Sequence, residues 1–196
     1  MKNIENTTVY KRLISDENIY LAIYSLDSYI FNKELLSIDD KKLLNQLRDK
    51  FDESKIRDVI YDVRAVLKEL VLDKNRFIEA MVYFKPKKYD KDNMKMIFRP
   101  LHTTSIIYQI ASVAILNMFV YEPNDGNDEL TLSNISRLIP ENFYGNRVST
   151  RPEVLFKPWK TQYKTYSQKA NDLFKNYHET HEYNFEVDLD LKNFFP

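Results

Sequence analysis

The segment Tyr183-Asn-Phe-Glu-Val-Asp-Leu-Asp-Leu-Lys-Asn-Phe-Phe-Pro196 decides how the rest of this 196-residue chain is read. Phe185, Val187, Leu189 and Leu191 alternate with Glu186, Asp188, Asp190 and Lys192. That period of two predicts a β-strand with one apolar and one acidic face. Asp188 and Asp190 then share a face, roughly 6.5–7 Å apart along the strand. Carboxylates that close repel unless a cation lies beside them. Oxygen ligands on a rigid strand suit Mg²⁺, which takes one or two carboxylates and completes its shell with water and substrate phosphates. Phosphoryl transfer uses such a metal to neutralise charge on the attacked and leaving oxygens. The alternative is a solvated acidic face on an amphipathic strand.

Upstream of this strand, the spacing predicts a helix over 158–175, where Trp159, Tyr163, Tyr166 and Phe174 interleave with Lys160, Lys164, Lys169 and Lys175. Such a helix can follow a nucleic-acid backbone with stacking rings. The alternative turns its aromatics inward and its lysines to solvent. Phe143-Tyr-Gly-Asn-Arg-Val148 reads as a tight turn entering a strand, with Gly145 supplying the permissive backbone. Pro123 to Asp128 reads as a loop, and Leu132 to Pro140 is ambiguous between helix and strand. Ser105 to Phe119 predicts a helix so apolar that it is buried on most sides.

Before that helix the period is again that of strands. Phe77 to Phe84 and Met94 to Arg99 form the arms of an expected β-hairpin, with a polar turn from Lys87 to Asn93. The first 76 residues are helical in pattern. Glu17 to Leu36 reads as one helix, and Ser37 with Asp40 as a capping box that opens a short one through Leu47. Ser54 is positioned to cap a third helix, whose apolar stripe runs through Val59, Val63, Val66, Leu67, Leu70 and Val71. The fold class is therefore α+β.

Composition removes several kinds of chemistry. There is no cysteine, which excludes disulfides, thiolate zinc sites and a cysteine nucleophile, and fits a reducing, cytoplasmic setting. With two glycines, a Walker A loop and a GxGxxG turn are excluded. His102, His178 and His181 lack ligand spacing. No apolar signal core opens the chain and no run reaches ~18 apolar residues, so no membrane role is expected. Lys+Arg and Asp+Glu balance at 29 each, yet the charge is segregated. Residues 85–102 and 151–178 each carry a net +4, whereas 179–196 carry −4. Two basic blocks and an acidic segment suit a phosphate-binding surface beside a cation site.

Three motifs in order resemble those of bacterial reverse transcriptases, the branch containing group II intron, retron and phage-defence enzymes. Val187-Asp-Leu-Asp-Leu-Lys-Asn-Phe-Phe-Pro196 resembles the first catalytic motif. Arg99-Pro-Leu-His-Thr-Thr104, followed by an apolar helix, resembles the first fingers motif, and Phe143-Tyr-Gly-Asn-Arg147 the second. The likeness covers roughly residues 84–196; the helical start of the chain matches no family. It implies a helical N-terminal extension (1–76), a fingers region of β-hairpin plus helices (77–182) and the start of a palm (183–196).

The resemblance also implies roles. Asp190 would bind the catalytic Mg²⁺ ions, Leu191 would add its backbone carbonyl, and Asp188 would be a polar neighbour. Phe195 would pack under the incoming sugar and exclude a 2′-hydroxyl. Lys85 and Arg99 would grip the triphosphate of a dNTP. Arg147 would order the fingers near the template or form a structural salt bridge, and Lys160 and Lys164 would contact nucleic acid. The expected partners are an RNA template, a DNA product and dNTPs. The family's second acidic motif, an aromatic-x-Asp-Asp hairpin, does not occur in the chain. The expectation is thus the N-terminal part of an RNA-directed DNA polymerase, inactive alone, either incomplete or completed by a C-terminal polymerase half. Two further readings remain: a non-catalytic nucleic-acid-binding or assembly module, such as half of a split phage-defence enzyme, and a helical interaction domain.

Overall fold

The computed structural model describes residues 4–30, 33–48, 52–73, 77–120, 147–149, 151 and 153–180. The fold class is α+β: seven described α-helices and one two-stranded antiparallel sheet. The chain falls into two compact units, residues 1–139 with 148–156, and residues 140–147 with 157–196.

In the first unit, α1 (Thr8–Leu13), α2 (Asp16–Tyr24), α4 (Ile38–Leu47) and α5 (Glu53–Leu72) pack around α6 (Ile106–Val120), and the short α3 (Leu26–Tyr29) follows α2. α6 is apolar around most of its circumference, and Ile106, Ile110, Ala111, Val113, Ala114 and Met118 are buried. Against them pack Ile19 and Ile23 of α2, Leu44 and Leu47 of α4, and Val59, Val63 and Leu67 of α5. Each such aliphatic side chain contributes about 1.5–3 kcal/mol when fully buried. Asn117 lies within this apolar surface because its amide donates to Asn18 O at 3.4 Å. Asn18 in turn donates to Leu13 O and Ala114 O at 2.9 and 3.0 Å, so the buried amides are partnered. Arg64 of α5 donates from Nε to Ile14 O at 3.0 Å and forms an ion pair with Asp16, tying α5 to the start of α2.

Three local expectations change. The helix expected over Glu17 to Leu36 is interrupted. Ser25 stops α2 with φ −88° and ψ 6°, its hydroxyl donating to Ala22 O and Leu21 O at 3.3 and 3.4 Å. A serine that bonds back to the preceding turn competes with the helix ladder. The short α3 follows, then a 3-10 turn at Lys33–Leu35. Asp52, rather than Ser54, caps α5, its carboxylate accepting from Lys55 N at 3.1 Å. Ser37 does cap α4, accepting from Asp40 N at 3.0 Å.

The third change is in the hairpin. β1 runs Met81–Asp90 and β2 runs Lys95–Thr103, so both arms are longer, and the turn shorter, than the sequence suggests. Lys85-Pro86 does not end the strand. The ladder steps from Pro86↔Phe98 to Lys88↔Ile97, and Lys87 is the extra residue of a β-bulge. A bulge accommodates a proline that has no N–H for the ladder. At the tip, the Asp90 carboxylate accepts from Asp92 N and Asn93 N at 3.1 and 3.3 Å, and Met94 takes φ 48°. The base is tethered by the Tyr83 hydroxyl, which donates to Leu35 O at 3.1 Å. Thr104 closes the neck by donating to Glu79 O at 2.5 Å.

Near residue 150, Val148 pairs with Phe156 in an isolated antiparallel bridge, and Leu155 N donates to the Ser28 hydroxyl at 2.9 Å. In the second unit, α7 runs Trp159–Thr180, and the carbonyl of Pro158 accepts from Thr161 N and Gln162 N. The expected loop at Pro123 to Asp128, the ambiguous segment at Leu132 to Pro140, the turn through Gly145 and the acidic strand lie outside the described residues. No helix among the described residues is long and apolar enough to cross a membrane.

Candidate functional site

Strand pairing places Lys85 directly opposite Arg99. Their sequence separation is absorbed by the long arms and the bulge. Directly opposed residues share a face, with Cβ atoms roughly 4.5–5.5 Å apart. Both side chains are exposed, and neither has an acidic partner among the described residues. Like charges directly opposite on a ladder are destabilising. Two such cations form a ready seat for a polyanion, with Arg99 able to give a bidentate contact and Lys85 a mobile point charge.

The bulge returns Lys88 to the face of Lys85 and Arg99, and the regular alternation of β2 puts Lys95 there too, opposite Asp90. This is the side on which Tyr83 reaches Leu35. The other face carries Val82, Phe84, Tyr89, Met96 and Phe98, all exposed. The sequence places Lys88 in a basic block but does not assign it to this face, because one unpaired residue inverts the alternation along β1. The useful signal was Pro86 inside an otherwise strand-like run.

In the second unit, Lys160 and Lys164 are exposed on α7. The neighbouring aromatics are not turned inward: Trp159 keeps 71% and Tyr163 65% of its surface exposed. The Lys160 ammonium lies 5.9 Å from the Trp159 ring centroid, and the Tyr163 and Tyr166 rings are 6.3 Å apart at 40°. These rings, which the sequence offers either as stacking side chains or as inward-turned ones, join the lysines as candidates. Arg147 is half-buried, and its carbonyl accepts from Lys157 N at 2.8 Å.

Asp190, Leu191 and Phe195 lie outside the described residues, as does Asp188. Among the described residues no group of three or more His, Asp or Glu side chains is arranged to hold a metal ion. The described geometry therefore presents two surfaces of exposed cations, the lysine–arginine face of the hairpin and the aromatic–basic face of α7, each within its own unit. No family model, curated protein or solved structure matches the chain.

Proposed function

We propose that this chain provides the fingers and the opening strand of the palm of an RNA-directed DNA polymerase of the bacterial reverse-transcriptase kind. One observation carries the proposal. Lys85 and Arg99, which match family positions that grip the triphosphate, stand directly opposite each other on one exposed face of the hairpin. In this reading the triphosphate of a dNTP lies across the pair, neutralising two cations that otherwise repel. Asp190, with the Leu191 carbonyl, would hold Mg²⁺, which would supply charge neutralisation at the reacting phosphate. The Phe195 ring excludes a ribonucleotide by sterics. Arg147, Lys160 and Lys164 contact the RNA template and DNA product.

Catalysis in this reading draws on an aromatic-x-Asp-Asp pair that the 196 residues do not contain. The test joins this chain with the polypeptide carrying that pair and measures dNTP incorporation on an RNA template. Asp190→Asn is expected to abolish incorporation, and Arg99→Ala to raise KM for the dNTP. Unchanged synthesis by Asp190→Asn would remove the mechanism. The DNA following the Pro196 codon offers a quicker check, since it is expected to encode Ser-Ile and then the acidic pair.

The exposed rings of α7 beside lysines favour a second reading, a non-catalytic nucleic-acid-binding or assembly module, because such a surface works without a metal. Tight RNA binding by these 196 residues, with no downstream frame bearing the acidic pair, is the result that selects it.

A further inference from the structure

We infer that the N-terminal half of α7 is a stacking platform for single-stranded nucleic acid, with Trp159 and Tyr163 taking bases and Lys160 and Lys164 taking the adjoining phosphates. The inference rests on the nucleic-acid-binding part of the function proposed above and specifies the strand state and the contact.

At 3.6 residues per turn, Trp159, Tyr163, Tyr166, Ala170 and Leu173 fall on one stripe of the helix. Lys160 and Lys164 form a row beside Trp159 and Tyr163, Lys169 borders the other edge, and Lys175 lies toward the far side. Asp172 and Glu179 fall on the opposite side of the helix. No acidic residue occurs from Trp159 to Asn171, so the N-terminal half of the stripe is accompanied by positive charge alone, which complements a phosphate backbone.

The composition of the stripe favours bases over a partner helix. A helix-pairing seam is built from Leu, Ile and Val, with charges of both signs beside it. Here Trp and Tyr dominate, and a second copy would bring lysines against lysines. Aromatic faces stack on any base, and phenol edges tolerate water. The spacing also fits. Four residues advance about 6 Å along the axis, close to two steps of about 3.4 Å in a stacked strand. Rings four apart can therefore take alternate bases, or successive bases of a stretched strand. Lys160 Nζ lies over the Trp159 ring at 5.9 Å from its centroid, so a base stacking on that face would displace the ammonium toward the adjoining phosphate. A duplex hides its base faces, so the platform discriminates against it.

Trp159 is the only tryptophan in the chain and reports on its own site. The experiment titrates the full 196-residue protein with a short fluorescent oligouridylate, reading anisotropy for binding and Trp emission for stacking. Quenching that saturates together with the anisotropy is expected, for oligoadenylate as well. Duplex RNA and inorganic polyphosphate are expected to leave the emission unchanged. Trp159→Ala should weaken binding about fivefold or more, with Trp159→Phe recovering most of it. Far-UV circular dichroism checks that α7 persists in each variant. Binding without quenching, or with full affinity in Trp159→Ala, overturns the platform while leaving nucleic-acid binding intact. Equal quenching by polyphosphate assigns the surface to charge alone and also overturns it. A Trp emission that shifts with protein concentration, accompanied by a dimer in sedimentation, assigns the face to a second copy. Absence of any nucleic-acid binding overturns both the platform and the reading beneath it.

Discussion

The Asp40 carboxylate accepts a hydrogen bond from the backbone N–H of Ile106 at 2.9 Å, although 66 residues separate them. The same carboxylate receives the Ser37 hydroxyl at 2.8 Å at the start of α4. One side chain thus serves the N-termini of two helices, and its negative charge suits the exposed amides at both. Asp40→Ala should cost about 1–2 kcal/mol. Thermal unfolding should shift down by about 2–4 °C for each kcal/mol lost. Asp40→Asn, which keeps an acceptor, should cost less.

Reversing charge at Lys85 should separate hairpin stability from ligand affinity. Lys85→Glu replaces a repulsive cross-strand pair by an attractive one and should add about 0.2–1 kcal/mol to the hairpin. The same change should weaken dNTP or triphosphate binding, measured by equilibrium dialysis. Parallel loss of stability and binding would show that the pair is held by something other than a bound anion.

Asp27 links the Lys33–Leu35 turn to the end of α4, accepting from Lys33 Nζ at 2.9 Å and Arg48 Nη2 at 3.1 Å. Burial acts to raise its pKa, but the hydrogen bonds and charges of Lys33 and Arg48 outweigh that and hold the carboxyl below its ordinary value. The unfolded chain therefore binds this proton more readily. The resulting stability is present above about pH 4 and is lost as the pH falls through the lowered folded value. Asp27→Asn should flatten the acid limb of the stability profile. Because the Asp27 side chain is 54% exposed, the cost at neutral pH should stay within about 1 kcal/mol. Melting temperatures from pH 7 down to pH 3 would check both.

Tyr10 buries its hydroxyl without a hydrogen-bond partner among the described residues. An unsatisfied buried group costs about 1–3 kcal/mol, so Tyr10→Phe should leave stability unchanged or raise it by up to that amount. Urea unfolding of the two proteins measures the difference. A marked loss would mean that the hydroxyl has a partner in solution.

The helical part of the fold was readable because its signals are local. Ser37 and Asp40 cap where the sequence places them, and α6 is buried on most sides. Of the expected α5 stripe, Val59, Val63 and Leu67 are buried while Val66, Leu70 and Val71 are partly so, with Ile56 and Ile60 completing the buried face. Ser25 escaped because serine bonding back onto its own helix leaves no mark on an apolar period that continues through Leu26 and Ile30. Ser54 and Asp52 are both good caps two positions apart, and local sequence does not choose between them. The cross-chain bond from Asp40 to Ile106 depends on tertiary packing alone. For the candidate site, Lys85 and Arg99 could be named from the motif, but their opposition depends on register, which an unpaired residue sets. The exposure of Trp159 and Tyr163 was not readable either, since an aromatic stripe at helical spacing has the same pattern whether covered or open.

Lys87 decides how the arm tolerates a change in length. Removing that one residue would close the bulge and leave the remaining pairs as they are, with Lys88 opposite Ile97 and Tyr89 opposite Met96. The arm can therefore lose this position without exchanging chemistry between its two surfaces. Removing a residue from the uninterrupted β2 would instead turn every side chain beyond the cut to the other side.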